Sequence, residues 1–462
     1  MKKSISIFVL AILFSLQLSA NEWYVSGTGN DTNDGKTPET AFRTLQKPVS
    51  LVQPGDVVLI GNGTYVGQSG ASGSATLGID CSGRADAWIT WKARPGHHPV
   101  IRPGNSWSAI QITGSYHILD GLEVFGNNDS IVLLKALEDA KNKTPNPFFN
   151  ANGIVIEGRK SKADKKPHHI IIRNCEISKC AGGGIAALEM DYLTVEDCKV
   201  HDNAWFMRYG GSGISTLNSW AYDDAPGYHI IIQRNYVWNN KTLVPWETIG
   251  KLSDGNGIIL DVTDLKKSGA TNPNSDAVVK SNTNQPKDTT KTTVNKPEIK
   301  PSRPEWKGRA LIANNLSAYN GGSGIHVFRT KYVDIINNTT YWNGGVVGYQ
   351  ELFPNASEDV VIMNNIIVPR PGGQVTSNSR NTNIKWDYNM YPNDQKIFKG
   401  ANDIVADPMF IDIQLEPLKG NFRLKRGSAG LNSGSNDVPQ PTDINGKKRP
   451  KGKGIDRGAF EQ

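Results

Sequence analysis

Short, similar segments recur along this chain, and their spacing limits what it can fold into. IIRNCEI (171–177), TVEDCKV (194–200), IIQRNYV (231–237), LIANNLS (311–317), DIINNTT (334–340) and VIMNNII (361–367) each carry an aliphatic residue at the second position. Their fifth position holds Cys175, Cys198, Asn235, Asn315, Asn338 and Asn365, and a looser copy, IKWDYNM (384–390), puts Tyr388 there. Three of the steps, Cys175 to Cys198, Asn315 to Asn338 and Asn365 to Tyr388, are 23 residues long. A second motif follows most copies: GGGIAAL (182–188), GGSGIST (210–216), DGNGIIL (254–260) and GGSGIHV (321–327). It aligns Ile185, Ile214, Ile258 and Ile325.

A short period built of β-branched runs between Gly and Asn predicts a solenoid whose coils stack strand on strand. One such coil cannot bury its own apolar side. Coils stacked ~4.8 Å apart share a core and satisfy each other's backbone groups. Inward positions then become aliphatic stacks, and asparagines at a repeated turn can bond along the stack as a ladder. Cys175 and Cys198 fall on neighbouring coils as packed thiols. The four cysteines are too sparse for a disulfide framework and match no zinc spacing. The eight histidines include two doublets but no HExxH pattern.

Residues 1–20, with Lys2 and Lys3 ahead of an apolar run ending in small residues, read as a secretory leader cleaved near Ala20. The expected mature chain is exported, secreted or periplasmic, and monomeric. No later apolar run approaches the ~20 residues of a membrane helix, so no stable membrane insertion is expected. The formal charge of +7 falls to +5 without Lys2 and Lys3. Residues 265–306 hold eight Lys/Arg and four Asp/Glu, so the remainder is nearly neutral and no nucleic-acid motif accompanies it.

In the N-terminal part (21–115), TAFRTLQKPVSLV (40–52) spaces Phe42, Leu45, Val49 and Val52 as an amphipathic helix that would cover the open first coil. GDVVLIGNGTY (55–65) follows as a strand. The solenoid proper is expected over 116–462 with a C-terminal extension. Residues 262–306, rich in Lys, Thr, Asn and Pro, read as a flexible insertion between coils.

WYVSGTGNDTNDGKTPETAFRTLQ, GDVVLIGNGTY, DGNGIILD, GGSGIHVF, NDIVADPMF and IDRGAFEQ together resemble the right-handed parallel β-helix proteins, and in particular the group around family nine polysaccharide lyases. The resemblance spans nearly all of the mature chain. It implies an all-β, right-handed parallel β-helix with an N-terminal capping helix. It also implies calcium held by aspartates on the helix face, and a lysine base just after a G-N-G turn. The turn here is Gly255-Asn256-Gly257, but the lysine position holds Ile259. Asp223 and Asp224 resemble the family's paired calcium aspartates.

In the repeat frame Ile258 and Leu260 point inward, so Ile259 and Asp261 point outward. Ile259 is then a surface residue, in a row with Ala186, Ser215 and His326. Asp261 shares a row with Leu188, Leu217 and Phe328. Asp223, Asp224, Asp254 and Asp261 are the expected oxygen ligands of calcium. Lys331 and His326 are candidate bases, and Arg329 a candidate bidentate clamp for a substrate carboxylate. Trp205, Tyr209, Trp220, Tyr222 and Trp246 fall where the step between copies lengthens to 37 residues, and are expected to line a carbohydrate site on the projecting loops.

The leading expectation is an exported lyase that cuts an acidic, uronate-containing polysaccharide by β-elimination with calcium. Hydrolysis is a second possibility, with two carboxylates drawn from Asp223, Asp224, Glu247, Asp254, Asp261 and Glu351. A carbohydrate-binding surface protein without catalysis is a third, and Ile259 keeps it open.

Overall fold

The computed structural model describes residues 20–263 and 303–462. All of the leader expected over 1–20 except Ala20, and most of the insertion expected over 262–306, lie outside the described residues. The described chain forms three long parallel sheets of eleven, eight and eleven strands, plus one antiparallel pair near the C-terminus. Through the middle of the solenoid each turn adds one strand to each sheet. The back sheet begins Glu22–Val25, Val57–Ile60, Ile89–Ala93, and the side sheet begins Gly63–Val66, Pro99–Arg102, Glu123–Phe125. The front sheet contains, among its eight, β1 (Asn152–Glu157), β2 (Ile185–Leu188), β3 (Ile214–Leu217), β4 (Ile258–Asp261), β5 (Ile325–Phe328) and β6 (Leu352–Asn355). The expected stack Ile185, Ile214, Ile258, Ile325 is in register, and Ile154 and Leu352 extend it. All six side chains are fully buried in one continuous core.

The corners explain why so few residue types recur. Back-sheet strands turn into side-sheet strands through one residue in the left-handed region: Asn174, Asp197, Arg234, Asn314, Asn337, Asn364 and Tyr388. Asparagine, aspartate and their like tolerate that conformation best. The next residue then points inward. Asn235, Asn315, Asn338, Asn365 and Asn389 do so, and the side-chain amide of each of the first four donates to the Oδ1 of the next member at 2.9–3.1 Å. The last copy is therefore framed one residue later than expected: Tyr388 is the corner and Asn389 the ladder member, because Val361 pairs with Lys385 rather than with Ile384. The step from Asn365 is 24 residues, not 23.

A second ladder follows the side sheet, through Asn203, Asn240, Asn320 and Asn343, at 2.8–3.1 Å. It ends on the buried carboxyl of Glu351, which accepts from both the amide and the backbone N–H of Asn343. The signal for it was present, since each member lies five residues after a member of the first column. All four cysteines are free thiols. Cys175 and Cys198 begin the first column and Cys180 the second, where Cys198 and Cys180 N–H groups donate to the first asparagine of each ladder.

Both ends of the solenoid are closed. At the N-terminus Phe42, Leu45, Val49 and Val52 are all buried as expected, yet the segment is not one long helix. Only Lys47–Ser50 coil, as a single 3-10 turn. Phe42 bridges Val25 in parallel, the Asp31 carboxylate holds the Arg43 and Thr44 N–H groups, and Pro48 has no N–H to continue a helical ladder. At the other end Trp386 and Tyr391 finish the core with Phe398 packed against them, while Phe410, Phe422, Leu424, Ile444 and Phe460 cover Leu316, Tyr341, Ile366 and Met390 on the outward side of the side sheet. The edges of the expected insertion are also part of the body. Val262 and Thr263 are buried, and Trp306 joins the core with its indole N–H on Asp191 Oδ1 at 3.1 Å. Among the described residues no helix is long and apolar enough to cross a membrane.

Candidate functional site

Long connections lie on both edges of the front sheet. Residues 126–151, which include the helix α1 (Leu133–Asp139), enter it, as do 202–213, 239–257 and 342–351. Residues 218–227 leave it, as does the connection that starts at Val262 and returns at Arg309. The outward face between these walls is ruled by two rows set by strand register. One runs Val155, Ala186, Ser215, Ile259, His326, Phe353; the other runs Glu157, Leu188, Leu217, Asp261, Phe328, Asn355. The expected alternation is present, but Ile259 is not a surface residue. It is 5% exposed and His326 8%, because rings close around this part of the row: Phe353 stacks on the imidazole at 4.1 Å, with Phe328 and Tyr349 at 5.8 and 6.1 Å. The Ile259 and His326 row is closed at β4 and β5, while the row through Leu188, Leu217, Asp261, Phe328 and Asn355 stays half-open.

This part of the face gathers unsatisfied polar atoms. Among the described residues, His326 Nδ1 and Nε2 and Asp261 Oδ1 are buried without a hydrogen-bond partner. Burial pushes the Asp254 carboxyl up to about 6, against a weaker opposing bond from Ser253. It pushes Asp261 up to about 7, helped by the charge of Asp254 and opposed by Arg329 and Arg303. His326 is driven down to about 3 by burial alone and is a neutral imidazole. Asp254 sits in the left-handed region at the entrance to β4, beside Ser253, whose hydroxyl meets the Tyr349 hydroxyl at 3.4 Å. Two carboxyl groups that interact and hold protons near neutrality are suited to acid–base work.

Arg329 occupies the left-handed corner immediately after β5, with its guanidinium 4.8 Å over the Phe328 ring, and its charge reaches Asp261. Lys331 lies elsewhere. It begins the next back-sheet strand, 6% exposed, with its ammonium 3.6 Å from Glu305. The structure thus brings together Asp254, Asp261, His326 and Arg329, and leaves Lys331 behind the corner. Tyr349, Ser253, Arg303 and Phe353 belong to the site and escaped the sequence reading. The strand ELFPN lacks the Gly pair that marks the earlier copies, so its register and hence Phe353 were hidden.

The four aspartates expected to hold calcium do not converge. Asp223 accepts from the Tyr192 hydroxyl at 2.6 Å and from the Ala225 N–H, and Asp224 pairs with Lys307. Both lie on the 218–227 connection, away from Asp254 at the entrance to β4. No group of three or more His, Cys, Asp or Glu side chains among the described residues is arranged to hold a metal ion. Asp223 instead belongs to a column of rings at the corner into the back sheet. Tyr116, His169, Tyr192 and His229 stack at 4.8, 4.2 and 4.0 Å. His229 is bonded on one side to Asp191 and on the other to the Ala225 carbonyl, which outweighs burial and raises its pKa.

The expected aromatic residues divide between the two walls. Trp205 has its indole N–H on the Asn239 carbonyl and Lys241 over its ring at 4.0 Å. Tyr209 lies 6.4 Å from Trp107, and Trp246 starts a small bridge to Lys251. On the opposite edge, Trp220 lies under the Lys166 ammonium at 4.4 Å, and Tyr222, 51% exposed, covers His168 at 3.8 Å. Of the other acids considered, Glu247 pairs with Arg208, and Glu351 ends the second ladder, where burial pushes it up to about 8 against the Asn343 bonds.

Comparison with known proteins follows the same line. A family model described as "Right handed beta helix region" matches residues 104–285. No curated protein sequence matches the chain. Among solved structures, pectate lyase Pel9A superposes with a TM-score of 0.52 at 15% identity, over 96% of this chain and 98% of its own. A rhamnogalacturonan lyase gives 0.42 at 16% identity, over 89% and 96%. A lacto-N-biosidase from Eubacterium ramulus gives 0.44 at 15%, over 80% and 56%. The chain is a right-handed parallel β-helix protein with the pectate lyase-like fold.

Proposed function

We propose that this protein is an exported carbohydrate-active enzyme that binds a polysaccharide along the outward face of its front sheet and cleaves it at β4 and β5. The observation that carries the reading is the buried, unpartnered polar set there: Asp261 Oδ1 and both ring nitrogens of His326, beside the paired carboxyls of Asp254 and Asp261. Buried polar atoms without partners cost stability, and a hydroxyl-rich ligand supplies what they lack. Tyr222, Trp220, Tyr209 and Trp246 on the flanking loops offer ring surface to the same ligand.

Hydrolysis is the chemistry this arrangement supports best. Asp261, which holds its proton up to about pH 7, would donate it to the glycosidic oxygen as the C–O bond breaks. Asp254, ionised above about 6, would take the proton of the attacking water or stabilise the developing positive charge. The charge of Asp254 adds to the burial that raises Asp261, so Asp261 is the carboxyl that keeps its proton to the higher pH. One observation favours β-elimination from a uronate polymer as a second reading: Arg329 lies beside Asp261. It would clamp the uronate carboxylate, Asp254 would remove the neighbouring carbon-bound proton, and Asp261 would protonate the departing oxygen as the carbon–carbon double bond forms. Calcium belongs to this second reading. The aspartates expected to hold it do not gather into a metal-binding group among the described residues, and no step of either reading is routed through it.

The test is to incubate the mature protein with polygalacturonate, alginate, a glycosaminoglycan and a neutral galactan, with calcium or with chelator. New reducing ends without ultraviolet-absorbing ends are expected and mean hydrolysis. Absorbing unsaturated ends mean elimination, and their loss under chelator would assign calcium to it. Neither signal on any polymer overturns catalysis and leaves a binding protein.

A further inference from the structure

A second concavity of about 420 Å³ opens between the ends of the side sheet and the C-terminal segment, lined among others by Tyr341, Trp342, Arg370, Asp407, Phe410 and Ile413. None of its lining residues belongs to the front-sheet rows or to the groups gathered there. Its floor is one aromatic wall. Trp342 lies nearly parallel to Tyr341, 5.1 Å between centroids at 14°, and Tyr341 is held edge-on by Phe410 and Phe422 at 5.9 and 5.5 Å. One indole face is thereby covered while the side chain remains 37% exposed. The indole N–H makes no hydrogen bond with the described residues.

The backbone presents this residue at some cost. Trp342 occupies the left-handed corner after the side sheet, at φ 52°, a position taken on other coils by Lys179, Asp202, Asn239 and Tyr319. A bulky side chain in that region is an outlier that the surrounding structure must hold in place. Beside it, the Arg370 guanidinium is fixed by donating to the Asn343 carbonyl at 2.9 Å and the Trp342 carbonyl at 3.1 Å. Gly345 leaves the space, since a Cβ there would come within 2.8 Å of the guanidinium. Across the cleft, Asp407 accepts the Met409 N–H with one oxygen, and its other oxygen has no donor among the described residues. Pro369, Pro371, Pro392 and Pro408 stiffen the walls.

An exposed indole face flanked by a fixed donor and a fixed acceptor, in a shallow cleft, has the form of a site for a ring with an apolar face and a polar edge. We propose that this cleft is a second glycan-binding site, taking one pyranose ring of a polysaccharide against Trp342 with Arg370 and Asp407 bonding its edge. The proposal shares the substrate class of the preceding reading but none of its residues. A uronate ring would place its carboxylate on Arg370, and a neutral hexose its hydroxyls on Arg370 and Asp407.

The experiment is affinity electrophoresis of the full mature protein carrying Asp261→Asn, in native gels containing polygalacturonate or neutral galactan. Retardation is expected in at least one gel. Adding Trp342→Ala should weaken the apparent affinity about tenfold or more, Trp342→Phe should retain most of it, and thermal melting should be the same for all three. Arg370→Ala should abolish retardation on polygalacturonate if the ring is a uronate, and weaken it only in part on galactan if it is neutral. Equal retardation with and without Trp342, or none in either gel, overturns the proposal. Trp342-dependent retardation in a protein that cleaves nothing would overturn catalysis at the front sheet and leave this site standing.

Discussion

Asp261 is the residue on which the proposed chemistry turns. The alternation of β4 put it outward in the sequence, and it is outward; what the sequence did not contain was the burial of its carboxyl beside Asp254 and the approach of Arg303 from across the insertion. Asp261→Asn should therefore lower turnover by ~10²–10⁴-fold, the usual range for a lost general acid or base. The same variant has a stability signature. The carboxyl's pKa is raised on folding, from 3.8 to about 7, so the folded state binds the proton more tightly than the unfolded one. Its penalty is absent below about pH 4 and grows as pH rises toward 7. Asp261→Asn should match the wild type in urea unfolding at pH 4 and exceed it increasingly up to pH 7, levelling above. A constant difference across that window would mean that the carboxyl is not held neutral by the fold. Lys331 teaches the converse. Its position in GIHVFRTK suggested proximity to Asp261, but the left-handed corner at Arg329 turns the chain into another sheet within two residues.

The element that organises the molecule is the corner followed by an inward asparagine. Asn315, Asn338 and Asn365 were legible from spacing alone because an invariant ladder demands an invariant residue. Asn389 was misframed because the single-residue shift of the last back-sheet strand leaves the aliphatic pattern of IKWDYNM intact. The second ladder was missed because its members lie outside the segments that align on aliphatic residues. Each ladder amide is buried and bonded on both sides. Asn338 donates to the Ile312 carbonyl and to Asn365, and accepts from the backbone and side chain of Asn315. Asn338→Ala should cost ~2–4 kcal/mol in chemical denaturation, since several bonds worth about 1 kcal/mol each are lost and buried partners are orphaned. A cost below 0.5 kcal/mol, typical of a surface change, would show that the ladder is incidental to stability.

At the scale of the whole molecule the repeat settled the architecture. Neither Tyr388 nor the shape of the N-terminal cap alters the number of sheets or their order. Function was less legible because the groove is made where the repeat breaks: at the long loops 202–213, 239–257 and 342–351, and at the edges of the insertion, where Trp306 and Arg303 return to the body although their segment reads as polar and aperiodic. Contacts of that kind have no period to betray them. On the function proposed above, a glycan is cut on the front-sheet face at β4 and β5. The most direct test is the crystal structure of the Asp261→Asn protein with an oligosaccharide of whichever polymer the wild type cleaves. Saccharide density crossing β3 to β5, with a glycosidic oxygen against residue 261 and Asp254, is the predicted result. An oligosaccharide bound at another face, with Asp254 and residue 261 untouched, would contradict the account.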